Sequence, residues 1–314
     1  MSTPTVSVVL PAFNRLKYLR AAVESVFAQS FTDWELIIAD DGSAQDTSDY
    51  LASLASRRRI RLLRLAHTGN PAAVRNAAVR VARGDYIAFL DSDDLWLPRK
   101  LEVQLRAQQA AGGRRWSYTA LIRVDADGAV MPGEAAGRRG VPEGDIFRQL
   151  LTLEAAVATP SVITERALLA EVGGFDEEQL YFEEYELWLR LIQVSEICGV
   201  NEPLVMVRNH DEHYSADRVR VYEARLRLLD KISLAASAVG LQSTLHLERA
   251  KTRAALGAVC AGSGQRGRAL RLLWSSRHLA WHGRKWWSSS AAVGRAFAPA
   301  WLRRAVRRVG RRPG

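Results

Sequence analysis

Cysteine is nearly absent from this 314-residue chain, with only Cys198 and Cys260. A disulfide framework or a thiolate zinc site is therefore excluded, and a reducing compartment is expected. Long apolar runs are also missing. No stretch approaches ~18 uninterrupted apolar residues, so no transmembrane helix is expected. Residues 1–11 lack a basic segment followed by an apolar one, so no secretory signal is expected, and the chain reads as cytoplasmic. No internal repeat is visible. Acidic residues are absent from one region alone: residues 265–314 carry 13 Lys and Arg and no Asp or Glu. The net charge of +10 arises there, because the remainder balances 31 basic against 34 acidic residues.

What is present is an ordered alternation. Residues 5–10, 34–39, 60–65 and 86–90 read as buried strands, and 16–29, 43–54 and 71–82 as the helices between them. This order predicts an α/β fold with a mostly parallel sheet, helices on its faces and right-handed crossovers. Ligands of such sheets bind beyond the carboxyl ends of the strands. Three strand ends carry polar loops there: Pro11-Ala12-Phe13-Asn14, Asp40-Asp41-Gly42-Ser43 and Asp91-Ser92-Asp93-Asp94. The third places three carboxylates in four positions. Like charges so close raise each other's pKa unless a cation lies between them, and hard ions such as Mg²⁺ or Mn²⁺ take carboxylate oxygen. An Asp-rich turn or helix cap explains the same residues equally well.

Further on, residues 117–124 and 129–131 flank Asp125-Ala126-Asp127-Gly128 as a hairpin, and 134–144 reads as a loop rich in Gly, Arg and Pro. Residues 161–164 read as a short strand. Glu183, Glu184 and Glu186 open an apolar helix over 183–195, where acidic residues also suit the helix dipole. Residues 216–264 read as a helical extension. Residues 265–314 read as a basic tail holding five of the nine tryptophans: Trp274, Trp281, Trp286, Trp287 and Trp301.

The motifs Val8-Val9-Leu10-Pro11-Ala12-Phe13-Asn14, Ile38-Ala39-Asp40-Asp41-Gly42-Ser43, Val74-Arg75-Asn76 and Phe89-Leu90-Asp91-Ser92-Asp93-Asp94 occur in that order. In this the chain resembles family 2 glycosyltransferases over roughly residues 4–215. The resemblance implies a GT-A Rossmann-like fold over 1–215, inversion at the sugar, a nucleotide-sugar donor (a UDP-sugar first) and Mg²⁺ or Mn²⁺. It implies nucleoside contacts at Pro11, Ala12, Asn14 and Asp41, with Asp40 in support. Arg75 would meet a phosphate. Asp93 would ligate the metal, with Asp91 at ribose or metal, Ser92 between them and Asp94 as the spare carboxylate, available to cap the next helix. Glu184 would be the general base with Glu183 as fallback, although the family more often has Asp at the position of Glu184. Gly173-Gly174-Phe175-Asp176 resembles the acceptor-side loop, and His210, or His213 in its place, would complete the metal shell. The acceptor would be a glycan or a polyprenyl-linked sugar.

The tail's interleaved Arg and Trp suit an anionic membrane surface, and place the chain peripherally at the inner face of the cell membrane. Nucleic-acid binding is the competing reading of the same charge and is not expected. Two other functions fit part of the pattern. One is a nucleotidyltransferase, although residues 10–17 lack the Gly-rich run it would need. The other is a non-catalytic nucleotide-sugar or membrane-binding module.

Overall fold

The computed structural model describes residues 3–54, 56–132, 140–209 and 217–276. The chain divides into two compact units, Met1–His213 and Tyr214–Gly314.

In the first unit the amino-terminal half alternates as the apolar pattern requires. Strand β1 (Val6–Ala12) is followed by α1 (Leu16–Phe27), β2 (Trp34–Asp40), α2 (Gln45–Leu54), β3 (Ile60–Arg64), α3 (Pro71–Val81) and β4 (Tyr86–Phe89). Strands β1 and β2 are buried along almost their whole length, the mark of a sheet covered on both faces. One face packs Val8, Leu10, Leu36 and Ile38 against Leu19, Val23 and Val26 of α1. Helix α3 starts cleanly because Asn70 accepts from the Ala72 and Ala73 amides and Pro71 sits in the first turn.

The remaining elements are β5 (Leu95–Trp96), α4 (Lys100–Ala110), β6 (Trp116–Val124), α5 (Phe147–Thr152), a 3₁₀ turn (Thr159–Ser161), β7 (Ile163–Glu165), α6 (Arg166–Glu171), α7 (Glu183–Leu191) and β8 (Ile197–Arg208). The strands form one sheet in the order β3-β2-β1-β4-β7-β6-β8-β5. It is mostly parallel, as expected, but not purely so: β7 runs antiparallel to both β4 and β6, and β5 antiparallel to β8. The hairpin expected at 117–131 reduces to a turn closed by one bridge, Val124 to Val130. Strand β6 pairs instead in parallel with β8, far along the chain. Helix α7 ends at Leu191, shorter than the apolar run, and the chain then turns into β8.

The amino ends of the strands are fastened by a polar knot. The Ser7 hydroxyl donates to Glu35 at 2.7 Å and accepts from the Gly84 amide at 2.8 Å, and Arg83 donates to Glu35 through both backbone and guanidinium. Burial would raise the Glu35 pKa, but the Ser7 and Arg83 bonds outweigh it and hold it below the usual range.

In the second unit α8 (Arg218–Lys231), α9 (Ser233–Ala238), α10 (Gln242–Gly262) and α11 (Arg266–Ser275) form a helical cluster. Helix α8 is capped by Asp217, and Leu256, Cys260 and Ala269 share a small core with Tyr222 and Leu272. The first turns of the expected tail thus belong to a packed helix, while Trp281, Trp286, Trp287 and Trp301 lie outside the described residues. Among the described residues no helix is long and apolar enough to cross a membrane.

Gly84 has no room for a side chain: a Cβ there would lie 2.5 Å from the Ser7 nitrogen and 2.7 Å from the Val6 carbonyl carbon. Gly84→Ala should therefore destabilise the fold by about 2–4 kcal/mol in urea unfolding. An unchanged midpoint would show that the knot is loose.

Candidate active site

Because β1, β2 and β4 are mutually parallel, their carboxyl ends share one edge. The loop after β1 turns sharply there, with Asn14 and Arg15 both left-handed at φ 54° and 57°. The turn is held by side chains. Asn14 Oδ1 accepts from the Ala44 amide at 2.8 Å, and the Ser43 hydroxyl accepts from the Asn14 amide at 2.8 Å. Asp40 in turn accepts from the Ser43 amide, so it supports the loop from below.

Asp41 is buried, and its carboxylate accepts three bonds, from the Thr68 amide and hydroxyl and the Gly69 amide, at 2.8 to 3.0 Å, while the His67 ring nitrogen Nδ1 lies 2.9 Å from the Asp41 backbone carbonyl. A carboxylate offers about four such acceptor sites, so Asp41 shapes the 67–69 loop. The His67 ring also stacks on Phe13, with centroids 4.2 Å apart, and Phe13 is 42% exposed. This aromatic pair between Pro11-Ala12 and Asp41 escaped the sequence reading. The only hint was the punctuation Thr68-Gly69-Asn70-Pro71.

Arg75 is buried, and its fork is closed by two carboxylates, Asp91 at 2.7 Å and Glu183 at 3.1 Å. Burial would lower its pKa, but these neighbours outweigh burial and raise it. Arg75 therefore joins the end of β4 to the start of α7 instead of pointing into solvent. Asp93 pairs with Arg15 at 2.6 Å. Asp94 does not cap α4. It is buried and accepts from the Arg208 amide of β8 at 2.8 Å. Its own burial, then Asp93 and Asp91, push its pKa well above the usual range. Ser92 is buried between these carboxylates in sequence.

The oxygen donors of Asp91 and Asp93 match Mg²⁺ or Mn²⁺. Among the described residues no three His, Cys, Asp or Glu side chains gather as a metal cage. Mg²⁺ commonly takes one or two carboxylates and completes its shell with substrate phosphates and water, so the donor set fits. His210 and His213 lie outside the described residues.

Across the sheet, Trp188 packs on Trp116 with centroids 5.8 Å apart, and Phe89 meets Phe175 edge-on at 5.3 Å. These rings fix α7. Phe182, left-handed at φ 59°, turns the chain into its first turn. There Glu184 lines a cavity of about 380 Å³ with Leu121, Arg123, Met131, Tyr185 and Val207. Burial and the adjacent Glu183 push the Glu184 pKa well above its usual value; Arg75 opposes this without cancelling it. Gly173 and Gly174 both have positive φ, and Asn76 brackets Phe175 by accepting from its amide and donating to its carbonyl.

An edge that gathers the loops after β1 and β2, paired aspartates and a buried carboxyl group, on a mostly parallel mixed sheet, has the architecture of the GT-A fold. Solved structures share the fold. S. aureus TarS 1-349 in complex with UDP-GlcNAc superposes with a TM-score of 0.62 at 18% identity, covering 94% of this chain and 82% of that one. The Glycosyl transferase family 2 model matches residues 7–113, so this stretch of the chain is similar to that family. An uncharacterized glycosyltransferase of Rickettsia felis is 32% identical over 203 residues, which is 65% of this chain and 33% of that protein. The match thus spans about a third of that relative's length. The Escherichia coli UDP-Glc:alpha-D-GlcNAc-diphosphoundecaprenol beta-1,3-glucosyltransferase WfgD is 29% identical over 62% of this chain and 73% of its own. The putative teichuronic acid biosynthesis glycosyltransferase TuaG of Bacillus subtilis is 44% identical over 103 residues, 32% of this chain and 41% of that protein.

Removing the guanidinium of Arg75 would leave two carboxylates facing each other with little water. Arg75→Met should cost about 3–5 kcal/mol of stability in denaturant unfolding. A loss below about 1 kcal/mol would show that the fork is not a structural tie.

Proposed function

We propose that this protein is an inverting transferase that moves a sugar from a nucleoside diphosphate sugar, with a UDP-sugar as first candidate, onto a hydroxyl of a lipid-linked or cell-surface glycan. The observation that carries the reading is Glu184: a carboxyl group with a raised pKa, open to a cavity and one guanidinium away from the Asp91 end of β4. The names of two relatives support the substrate classes. WfgD takes UDP-Glc and a diphosphoundecaprenol-linked sugar, and TarS was solved with UDP-GlcNAc.

In this reading Pro11, Ala12 and Asn14 line the nucleoside site, whose shape Asp40 and Asp41 maintain. The Phe13–His67 pair offers a ring face for the base. Asp93 and Asp91, with Ser92 beneath, would hold Mg²⁺ or Mn²⁺, which when bound neutralises charge on the leaving diphosphate. Arg75 adds positive potential behind that site. Glu184 takes the acceptor hydroxyl's proton as its oxygen attacks the anomeric carbon from the side opposite the diphosphate, so the configuration inverts. A base must be ionised to act, and general bases work best with a pKa near the working pH. Glu183, held by Arg75, tunes Glu184 more than it substitutes for it.

The domain reading follows from the same argument. Residues 1–215 form the transferase domain, 216–264 a helical extension, and the basic tail of 265–314 carries the enzyme to an anionic membrane surface on the cytoplasmic side. The tail's lack of acidic residues supports this, as do its tryptophans.

Four measurements check the reading. Calorimetry with UDP, GDP and dTDP should show binding of one nucleotide that strengthens with Mn²⁺ and is lost in Asp93→Asn; no binding by folded protein would refute a nucleotide donor. Glu184→Gln should lower kcat by roughly 10²–10⁴-fold with donor affinity retained. In the wild type, activity should fall on the acid side through a pKa above the ordinary glutamate range, and full activity in Glu184→Gln would remove it as base. Because α11 is packed, the membrane test should delete residues 277–314 only. That deletion should release the protein from phosphatidylglycerol vesicles, and unchanged binding would refute the tail anchor.

A further inference from the structure

Arg15 is the one site-edge residue that the proposed reaction leaves without a task. It stands in the loop after β1, at φ 57° and ψ 39°, with no side-chain cap on the helix it begins. A left-handed conformation is strained for a residue with a β-carbon, and Asn14 before it is left-handed too. Asn tolerates that conformation better than Arg does. The bend turns the Arg15 side chain back over the strand ends, where its Nη1 donates to Asp93 Oδ2 at 2.6 Å. The pair is largely shielded, with side-chain exposures of 27% and 13%. Asp93 is the carboxylate to which the reading above gives the cation, and the Arg15 guanidinium is paired with it.

We propose that Arg15 is a resident counter-cation that keeps divalent metal off Asp93 until a nucleoside diphosphate arrives, and that the diphosphate then draws the guanidinium away. This rests on the nucleotide-sugar reading above and deepens it. A divalent ion approaching Asp93 alone meets the Arg15 charge a few ångströms away, in a poorly hydrated site where such repulsion is weakly screened. A diphosphate reverses the balance. Its oxygens suit the planar fork of arginine better than a single carboxylate oxygen does, and its own charge favours the metal. Metal and nucleotide then bind as a pair, with reciprocal coupling between them. Asp91 needs no such guard, because Arg75 is already committed to both Asp91 and Glu183.

The test measures Mn²⁺ affinity by electron paramagnetic resonance, with and without UDP, in wild type, Arg15→Gly, Arg15→Lys and Asp93→Asn. Glycine accepts φ 57° without strain, so Arg15→Gly is expected to fold at least as well as wild type. In the absence of UDP, Arg15→Gly should bind Mn²⁺ at least about tenfold more tightly than wild type. Its coupling between UDP and Mn²⁺ should shrink by the same factor. Arg15→Lys should restore most of the wild-type behaviour, and Asp93→Asn should abolish binding in every background. If Arg15→Gly binds Mn²⁺ as wild type does, and UDP-dependent Mn²⁺ binding by the wild type is intact, Arg15 is a passive ion pair and the proposal fails while the donor reading stands. If wild type binds no Mn²⁺ even with UDP, the metal reading fails and takes this proposal with it.

Discussion

The buried guanidinium of Arg75 is the constraint around which the rest of this site is arranged. Arginine cannot shed its proton at any physiological pH, so a buried one must be surrounded by acceptors. Here they come from two distant parts of the chain, Asp91 after β4 and Glu183 at the head of α7. The helix that carries Arg75 makes further ties to the same region. Asn70 donates to the Glu177 carbonyl at 2.8 Å, and Asn76 clasps Phe175. Helix α3 thus works as a keel between the two halves of the first unit. The raised pKa of Glu184 is opposed by a residue whose other hand holds the aspartate edge.

Strain falls in the same places. Among the described residues the non-glycine positions with positive φ are Asn14, Arg15, Leu153 and Phe182. Asn14 and Arg15 shape the loop after β1, Phe182 precedes the acidic turn of α7, and Leu153 leads into the segment whose Ala156–Ala158 stretch lines the cavity beside Glu184. Such conformations persist only where surrounding packing enforces them. That packing is visible: Ser43 and Ala44 brace Asn14, and the Trp116–Trp188 stack braces α7.

The amino-terminal half was legible because its strands are buried on both faces and its helices carry one apolar face each. Local pattern alone decides such elements. The carboxyl half was not, for a different reason. Strand β8 pairs with β6 some eighty residues earlier, and the two-residue β5 exists only because β8 lies beside it. Neither signal is local. In the site, motif order located Asp91, Asp93, Glu183 and Glu184, but not what each one touches. Arg75 read as a phosphate ligand, and its buried tie to Asp91 and Glu183 shows only in the fold. Asp94 read as a cap, yet its partner is an amide on β8. His67 carries no motif, and only the folded loop sets its ring on Phe13.

The knot of Ser7, Glu35, Arg83 and Gly84 closes the sheet at the end remote from all this chemistry. None of its members reaches the loops that surround the donor edge. The first unit is therefore a handle with interchangeable bits. Loops at the opposite end can be replaced without touching the grip beneath them. A chimera that keeps these four residues and takes its 11–15, 67–70 and 173–185 segments together from another enzyme inherits a foundation already set.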